Sequence, residues 1–310
     1  WNDKETVINS ATFLAIENPS TDVARYRAGD LDMTNYALPP EQFAKLQKEL
    51  PGEVFTTRTL ATYSYELNNK KAPFDNVNVR KALNLSLDRN VITDKVLGQG
   101  QTPTYVFTPT YIEEGHLIQQ PAYSKEPMAQ RNEEAIKLLE EAGYSKANPL
   151  KFSILYNTNE NHKKVAIAAA SMWKANTKGL IDVKLENQEW KTYIDSRRAG
   201  RYDAARAGWN ADYNQATTFG NYFLSNSSNN TAKYANPEYD KAIAESYVAT
   251  DAEGRAKAYA KAEEILAKDF GIVPIFNYVN PRLVKPYVKG YSGKDPQDHI
   301  YLRNLYIIKH

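Results

Sequence analysis

The segment Leu150–Trp209, LKFSILYNTNENHKKVAIAAASMWKANTKGLIDVKLENQEWKTYIDSRRAGRYDAARAGW, alternates two hydrophobic periods along its length. Leu150–Tyr156, Ile181–Leu185 and Asp203–Trp209 are short apolar runs that predict strands, while His162–Asn176 and Thr192–Ala199 carry the spacing of helices between them. Such a β-α-β-α-β series predicts an α/β fold.

Toward the N-terminus the same rhythm continues. Thr21–Ala28 predicts a short helix with Asp22 near its start and Gly29 closing it, followed by an extended Asp30–Met33 and a helix over Pro39–Leu50. Val54–Leu67, VFTTRTLATYSYEL, is β-branched and aromatic throughout and too long for an ordinary strand, so it is expected to run from one lobe into another. Residues 77–97 predict one long amphipathic helix, 98–126 an extended loop, and Gln130–Ala142 a helix that stops at Gly143.

Toward the C-terminus, Thr217–Ser225, Pro237–Val248 and Ala252–Lys268 predict helices, the last with Asp251 as its N-cap. Gly271–Val279, GIVPIFNYV, suits a buried strand, and the Pro-, Gly- and Lys-rich tail suggests a return crossing near Tyr278. The expected organisation is two-lobed: residues 1–60 form part of lobe I, 61–278 form lobe II, and 279–310 return into lobe I. At the very start, Trp1-Asn2-Asp3-Lys4 has no basic or apolar leader and runs into Thr6–Asn9, which reads as a strand already in progress. The expectation is a chain that begins inside a larger protein, with any export signal upstream.

Composition narrows the function classes. A net charge of +2 with interspersed signs lacks the clustered basic face of a nucleic-acid binder. No apolar run approaches a membrane span, so direct membrane insertion is not expected. The absence of Cys removes disulfides, thiolate metal sites and a cysteine nucleophile. Of the four His, at 116, 162, 299 and 310, none stands in a metal-ligand spacing, and no nucleophile elbow or phosphate loop is present. Gly98-Gln99-Gly100 reads as a helix stop. Neither an enzyme nor a cofactor is expected. The 22 Tyr against 10 Phe suit a wet binding groove, or equally a set of half-buried strand residues.

The densest stretch for binding chemistry is Glu189–Asp212, which gathers Trp190, Arg197, Arg198, Arg206, Trp209 and Asp212. Strand alternation puts Arg206 on a face with Ala204 and Gly208, where a buried guanidinium needs an anion. That anion is either an internal carboxylate such as Glu66 or the carboxylate of a ligand gripped by the arginine fork. Asp212 follows Gly208-Trp209-Asn210-Ala211 at the strand end, where it is either a turn residue or the partner of a cation such as a peptide α-ammonium.

Five stretches, PFDNVNVRKALNLSLDR (Pro73–Arg89), LYNTNENHKK (Leu155–Lys164), NQEWKTYID (Asn187–Asp195), ARAGWNADYN (Ala205–Asn214) and VPIFNYVNPRLVKPYVKGYSGKDP (Val273–Pro296), resemble the enterobacterial-type oligopeptide-binding proteins of ABC importers. The resemblance spans essentially the whole chain and implies a periplasmic two-lobed flytrap, present here without its N-terminal part, that clamps an extended short peptide and delivers it to a membrane permease. By that resemblance Asp212 anchors the ligand's α-ammonium, and Arg206, Arg197 and His162 receive its C-terminal carboxylate. Trp190 and Trp209, with Gly208 and Asn210 beside them, line side-chain pockets, Tyr278 lines the groove near the hinge, and Glu66 is a polar pocket residue. Ala61 and Asn210 occupy places where relatives carry a cysteine pair. A cell-wall tripeptide binder of the same family and a peptide-holding chaperone remain as other readings.

Overall fold

The computed structural model describes residues 3–16, 18–35 and 37–309. The chain divides into two compact units. The smaller takes the chain up to Thr59, Leu97–Gln101 and everything from Tyr278 onward, and the larger takes Leu60–Val96 and Thr102–Asn277. The excursion at Leu97–Gln101 was not anticipated, and Tyr278, expected in the second lobe, groups with the smaller unit.

The larger unit is organised on one mixed sheet. Its strands are β1 (Val54–Leu67), β2 (Thr102–Pro103), β3 (Leu150–Asn157), β4 (Ile181–Gln188), β5 (Ala204–Asn210) and β6 (Ile272–Leu283), in the order β2-β6-β1-β5-β3-β4. β3 runs parallel to both β4 and β5, whereas β5 runs antiparallel to β1. β1 is one continuous strand of 14 residues, and its first six belong to the smaller unit.

Helices α1 (Pro19–Ala28) and α2 (Pro40–Glu49) belong to the smaller unit; α3 (Val77–Leu85), α4 (Met128–Glu141), α5 (Glu160–Asn176), α6 (Trp190–Arg198), α7 (Thr217–Gly220), α8 (Pro237–Val248) and α9 (Ala252–Lys268) belong to the larger. Caps explain many of their ends. The Asp251 side chain accepts from the Gly254 amide at 2.6 Å, Asn159 caps α5, and Gly29 ends α1 at φ 87°, a left-handed turn that glycine adopts without strain. The cap of α1 is Asn18, whose side chain accepts from Ser20 N; Asp22 lies within the helix and is buried.

The expected long helix over 77–97 is broken. α3 stops at Leu85, and a wider π-helical turn follows at Val91–Leu97. Arg89, fully buried, is the physical reason. Its guanidinium donates to the carbonyls of Asn84 (3.1 Å), Leu87 (3.4 Å) and Pro274 (2.7 Å), and its Cζ lies 4.0 Å from the Tyr105 ring centroid. Carbonyls turned toward that cation do not continue a helix, and the Asp88 side chain restarts the next turn by accepting from Asn90 N at 3.0 Å.

The core of the larger unit gathers Phe107, Phe219, Tyr222, Phe223, Tyr234, Ile243, Tyr259 and Leu266. Fully buried Trp173 on α5 donates its indole N–H to Leu83 O at 2.9 Å. Glu263 on α9 pins the loop after β2, accepting from Thr108 N (3.1 Å), Thr108 Oγ1 (2.7 Å) and Phe107 N. Burial pushes its carboxyl above the ordinary range, and those hydrogen bonds offset part of the shift.

In the smaller unit, Val23, Tyr26, Leu38, Phe43 and Leu46 pack with Leu283. Short strands β7 (Val288–Lys289) and β8 (Tyr306–Ile307) pair antiparallel. Thr6–Asn9 is not a strand but irregular, with a bend at Asn9. Trp1 and Asn2, part of that N-terminal reading, lie outside the described residues.

Candidate functional site

β5 and its neighbours arrange most of the expected residues on the two faces of one sheet. The register sets Tyr65 opposite Arg206, Tyr63 opposite Gly208, and Glu66 opposite Ala205. Paired residues of an antiparallel ladder share a face and successive residues alternate, so Arg206 and Glu66 point to opposite faces. The internal pairing of Arg206 with Glu66 is therefore corrected.

On the first face, the Arg206 guanidinium lies over the Tyr63 ring, with Cζ 5.2 Å from its centroid. The same ring stacks on Phe276 at 4.7 Å and meets His162 of α5 at 5.6 Å. Arg206 and His162 thus flank one tyrosine. Burial, followed by repulsion from Arg206, holds the His162 imidazole well below its usual pKa and therefore neutral. Gly208 adds no side chain to this face, and Asn210, exposed, is the direct partner of Ala61 across the ladder.

The second face holds a buried polar network. Glu66, with no exposed surface, accepts from Arg197 Nη2 at 3.0 Å, from Tyr222 OH at 2.7 Å and from Thr231 Oγ1. Arg197 Nη2 also reaches Tyr222 OH (2.9 Å) and Thr231 Oγ1 (3.0 Å), and Tyr202 OH donates to Thr231 O at 2.6 Å. Burial, the largest single influence, would lower the pKa of Arg197, but the Glu66 charge together with Tyr222, Tyr193 and Tyr202 raises it well above the ordinary value, so the guanidinium stays protonated. Arg197 Nε is buried and without a hydrogen-bond partner, so the fork is used on one side only. Trp209 joins this face edge-on to Tyr222 at 4.9 Å. Trp190, 57% exposed, stacks on buried Tyr193 at 5.8 Å, and the Tyr193 hydroxyl donates to Arg206 O.

At the end of β5, Thr218 ties two expected residues together. The Trp209 indole donates to Thr218 O at 2.9 Å and to Thr218 Oγ1 at 3.3 Å. Asp212 N donates to Thr218 Oγ1, which in turn donates to Asp212 Oδ2, both at 3.2 Å. Asp212 is an exposed residue in a turn held by hydrogen bonds. These hydrogen bonds bear out the reading of Asp212 as a turn residue.

Tyr278 belongs to the smaller unit, where its carbonyl accepts from Thr59 Oγ1 at 3.1 Å. Tyr63, Tyr193, Tyr222, Thr218 and Thr231 were not singled out by sequence reasoning. The one signal for the three tyrosines was the excess of that residue, which does not say which of the 22 matter, and the two threonines carried none. Among the described residues no group of three or more His, Cys, Asp or Glu could hold a metal ion, and no helix is long and apolar enough to cross a membrane.

Three comparisons bear on this geometry. The chain is 96% identical over all 310 residues to the periplasmic oligopeptide-binding protein OppA of Haemophilus influenzae, covering 57% of that protein. The crystal structure of H. influenzae OppA in complex with the peptide RPPGFSPFR superposes with a TM-score of 0.94 at 95% identity, over 100% of this chain and 60% of that one. The murein tripeptide binding protein MppA of Escherichia coli superposes at 0.93 with 43% identity, again over 100% and 60%. The chain therefore spans somewhat more than half the length of these relatives. Residues 1–231 match the profile of the bacterial extracellular solute-binding proteins, family 5 middle region, and the chain belongs to that family.

Proposed function

We propose that this chain is the peptide-capturing part of a periplasmic solute-binding protein, which holds short peptides in extended form and delivers them to the permease of an ABC importer. The observation that carries the proposal is whole-chain likeness, at 96% identity, to a protein named for binding oligopeptides. The murein-tripeptide reading has weaker support, with 43% identity to the protein of that name. On this reading the chain binds without a catalytic step, and the larger unit corresponds to the peptide-binding lobe.

The physics of the site suits such a task. A carrier for peptides of many sequences must recognise the backbone and the two charged ends, which every peptide has. In our assignment the exposed Asp212 takes the α-ammonium. Arg206, with neutral His162 beside the same tyrosine, takes the C-terminal carboxylate. Arg197 is already charge-balanced by Glu66, so it receives a carboxylate only in competition with that pair and otherwise forms a neutral polar wall with Tyr222 and Thr231. Trp190, Trp209, Gly208 and Asn210 border side-chain pockets, and Tyr278 is assigned to the ligand groove by family resemblance.

The test is calorimetry on the full-length protein that contains this chain, using a tetrapeptide with a free α-amine and its N-acetylated twin. Tight binding of the free form, weakened by Asp212→Asn, is expected. Equal binding of both twins, or binding of neither, would refute the assignment. Intact peptides recovered after prolonged incubation would agree with a binder, whereas cleavage products would contradict it.

A further inference from the structure

Asp212 lies in a six-residue connection, Ala211–Ala216, between β5 and α7, and that connection is tied to a partly buried ion pair distant in sequence. Glu114 is 8% exposed and holds Arg255 of α9 through Nε at 2.9 and 3.1 Å and through Nη2 at 2.6 Å. The same carboxylate accepts from Gln215 Nε2. The amide of Gln215 is engaged at both ends. Its Nε2 also donates to Tyr259 OH at 3.0 Å, and its Oε1 accepts from Thr217 N at 2.9 Å. Thr217 Oγ1 meets the same tyrosine hydroxyl at 2.9 Å.

The residue before Glu114 completes the attachment. Glu113 N donates to Asn214 Oδ1 at 3.2 Å, and Glu113 O accepts from Ala216 N at 3.0 Å. Glu114 itself is held at φ 65°, a left-handed conformation that side chains other than glycine rarely adopt. Such a conformation persists only where surrounding contacts over-determine it, and here the bidentate arginine and the glutamine do so. The Arg255 guanidinium also keeps the Glu114 carboxyl below the usual range, so it stays ionised and able to accept.

We infer that Gln215, clamped between the Glu114–Arg255 pair and Tyr259, is a positioning residue that fixes the Asp212 turn and sets selectivity for the free α-amine of a ligand. The inference rests on the assignment of Asp212 as the ammonium anchor. Gln215 does not touch the ligand; it acts on where Asp212 stands. A point charge recognising a small ammonium group tolerates little displacement, so a turn released at Gln215 loses charge recognition before it loses the groove. Backbone contacts made elsewhere along a bound peptide do not pass through this turn and are unaffected.

The experiment measures the dissociation constants of the free-amine and N-acetylated tetrapeptides on the full-length protein, for wild type, Gln215→Leu and Tyr259→Phe. In wild type the free form binds more tightly. Gln215→Leu is expected to weaken the free form about tenfold, in the range seen when residues that orient a binding group are replaced. The acetylated twin should change by less than about twofold, as expected for uncoupled sites. Tyr259→Phe removes only one hydroxyl from a buried ring and should give a smaller loss in the same direction, which keeps the test decisive if the leucine variant folds poorly. Should both variants keep the wild-type ratio, or weaken both peptides equally, the positioning role is overturned while the Asp212 anchor stands. If wild type does not distinguish the twins, the anchor fails and the positioning role fails with it.

Discussion

Replacing Glu66 by glutamine leaves the shape of the buried network nearly intact and removes its charge. The side chains of Glu66 and Arg197 are 1% and 10% exposed. The introduced amide can still accept from Arg197 and Tyr222 through its oxygen, and its NH2 can donate to Thr231 Oγ1. What is lost is the counter-charge of a guanidinium that remains buried with its Nε unpartnered. Leaving one member of a buried ion pair uncompensated costs about 3–5 kcal/mol. With a urea dependence of roughly 2–3 kcal/mol per molar, the unfolding midpoint should fall by about 1–2.5 M. Three of the four tryptophans, Trp173, Trp190 and Trp209, belong to the larger unit, so tryptophan fluorescence chiefly follows its unfolding. Adding Arg197→Met to Glu66→Gln should restore part of the loss, because the stranded charge is then gone, giving a coupling of about 2 kcal/mol in the double-mutant cycle. A single-variant loss below about 1 kcal/mol, or strict additivity in the cycle, would refute the view that charge compensation holds this face together.

Two further expectations concern pH and backbone. His162 is held neutral in the fold, with its pKa below the usual 6.5, so the unfolded chain binds a proton first as pH falls. Stability should therefore decline by about 1 kcal/mol between pH 7.5 and 5.5, as expected for one differentially protonated group, and His162→Gln should remove that share of the decline; equal declines in both proteins would refute it. Gly290 stands at φ 84°, where an added Cβ would come 1.8 Å from Asn304 O, so Gly290→Ala should abolish the β7–β8 pairing and speed amide exchange at Tyr306. Gly52 at φ 80° has nothing within 4 Å of such a Cβ, and Gly52→Ala should cost only about 1 kcal/mol of backbone strain. Unchanged exchange at Tyr306 in the first variant would refute the clash.

Where information is local, the sequence carried the fold well. Asp251 and Gly29 mark helix ends because a cap is read within a few residues, and the strands and helices between Leu150 and Asn210 follow from periodicity. The break after Leu85 was not legible, because its cause is a bond from Arg89 to Pro274, 185 residues away. The same limit governs the site. That Arg206, Trp209 and Asp212 cluster at a strand end could be read from their spacing. That Glu66 answers Arg197 and not Arg206 depends on the register of β1 against β5, and a shift of one residue would have reversed the faces. Tyr222 and Thr231 were invisible for a related reason: each is an ordinary core residue until the carboxylate it serves is known.

The passage of β1 and β6 from one unit to the other within unbroken strands bears on how the chain folds as it is made. The larger unit is nearly continuous in sequence, so it can complete its sheet once Asn277 has been synthesised. The smaller unit cannot, since Leu283 must join Val23 and Tyr26, and its amide must find Thr34 Oγ1 across 249 positions of sequence. Closing a loop of that length in a free chain is entropically costly and slow. Once the larger sheet has formed, β1 and β6 are neighbours in it, and Asn277 Nδ2 donates to Thr62 Oγ1 at 2.9 Å. Both exits from that sheet then leave side by side, and the long search shrinks to a short one. Vectorial synthesis and sheet order thus cooperate to shorten the search that brings Leu283 to Thr34.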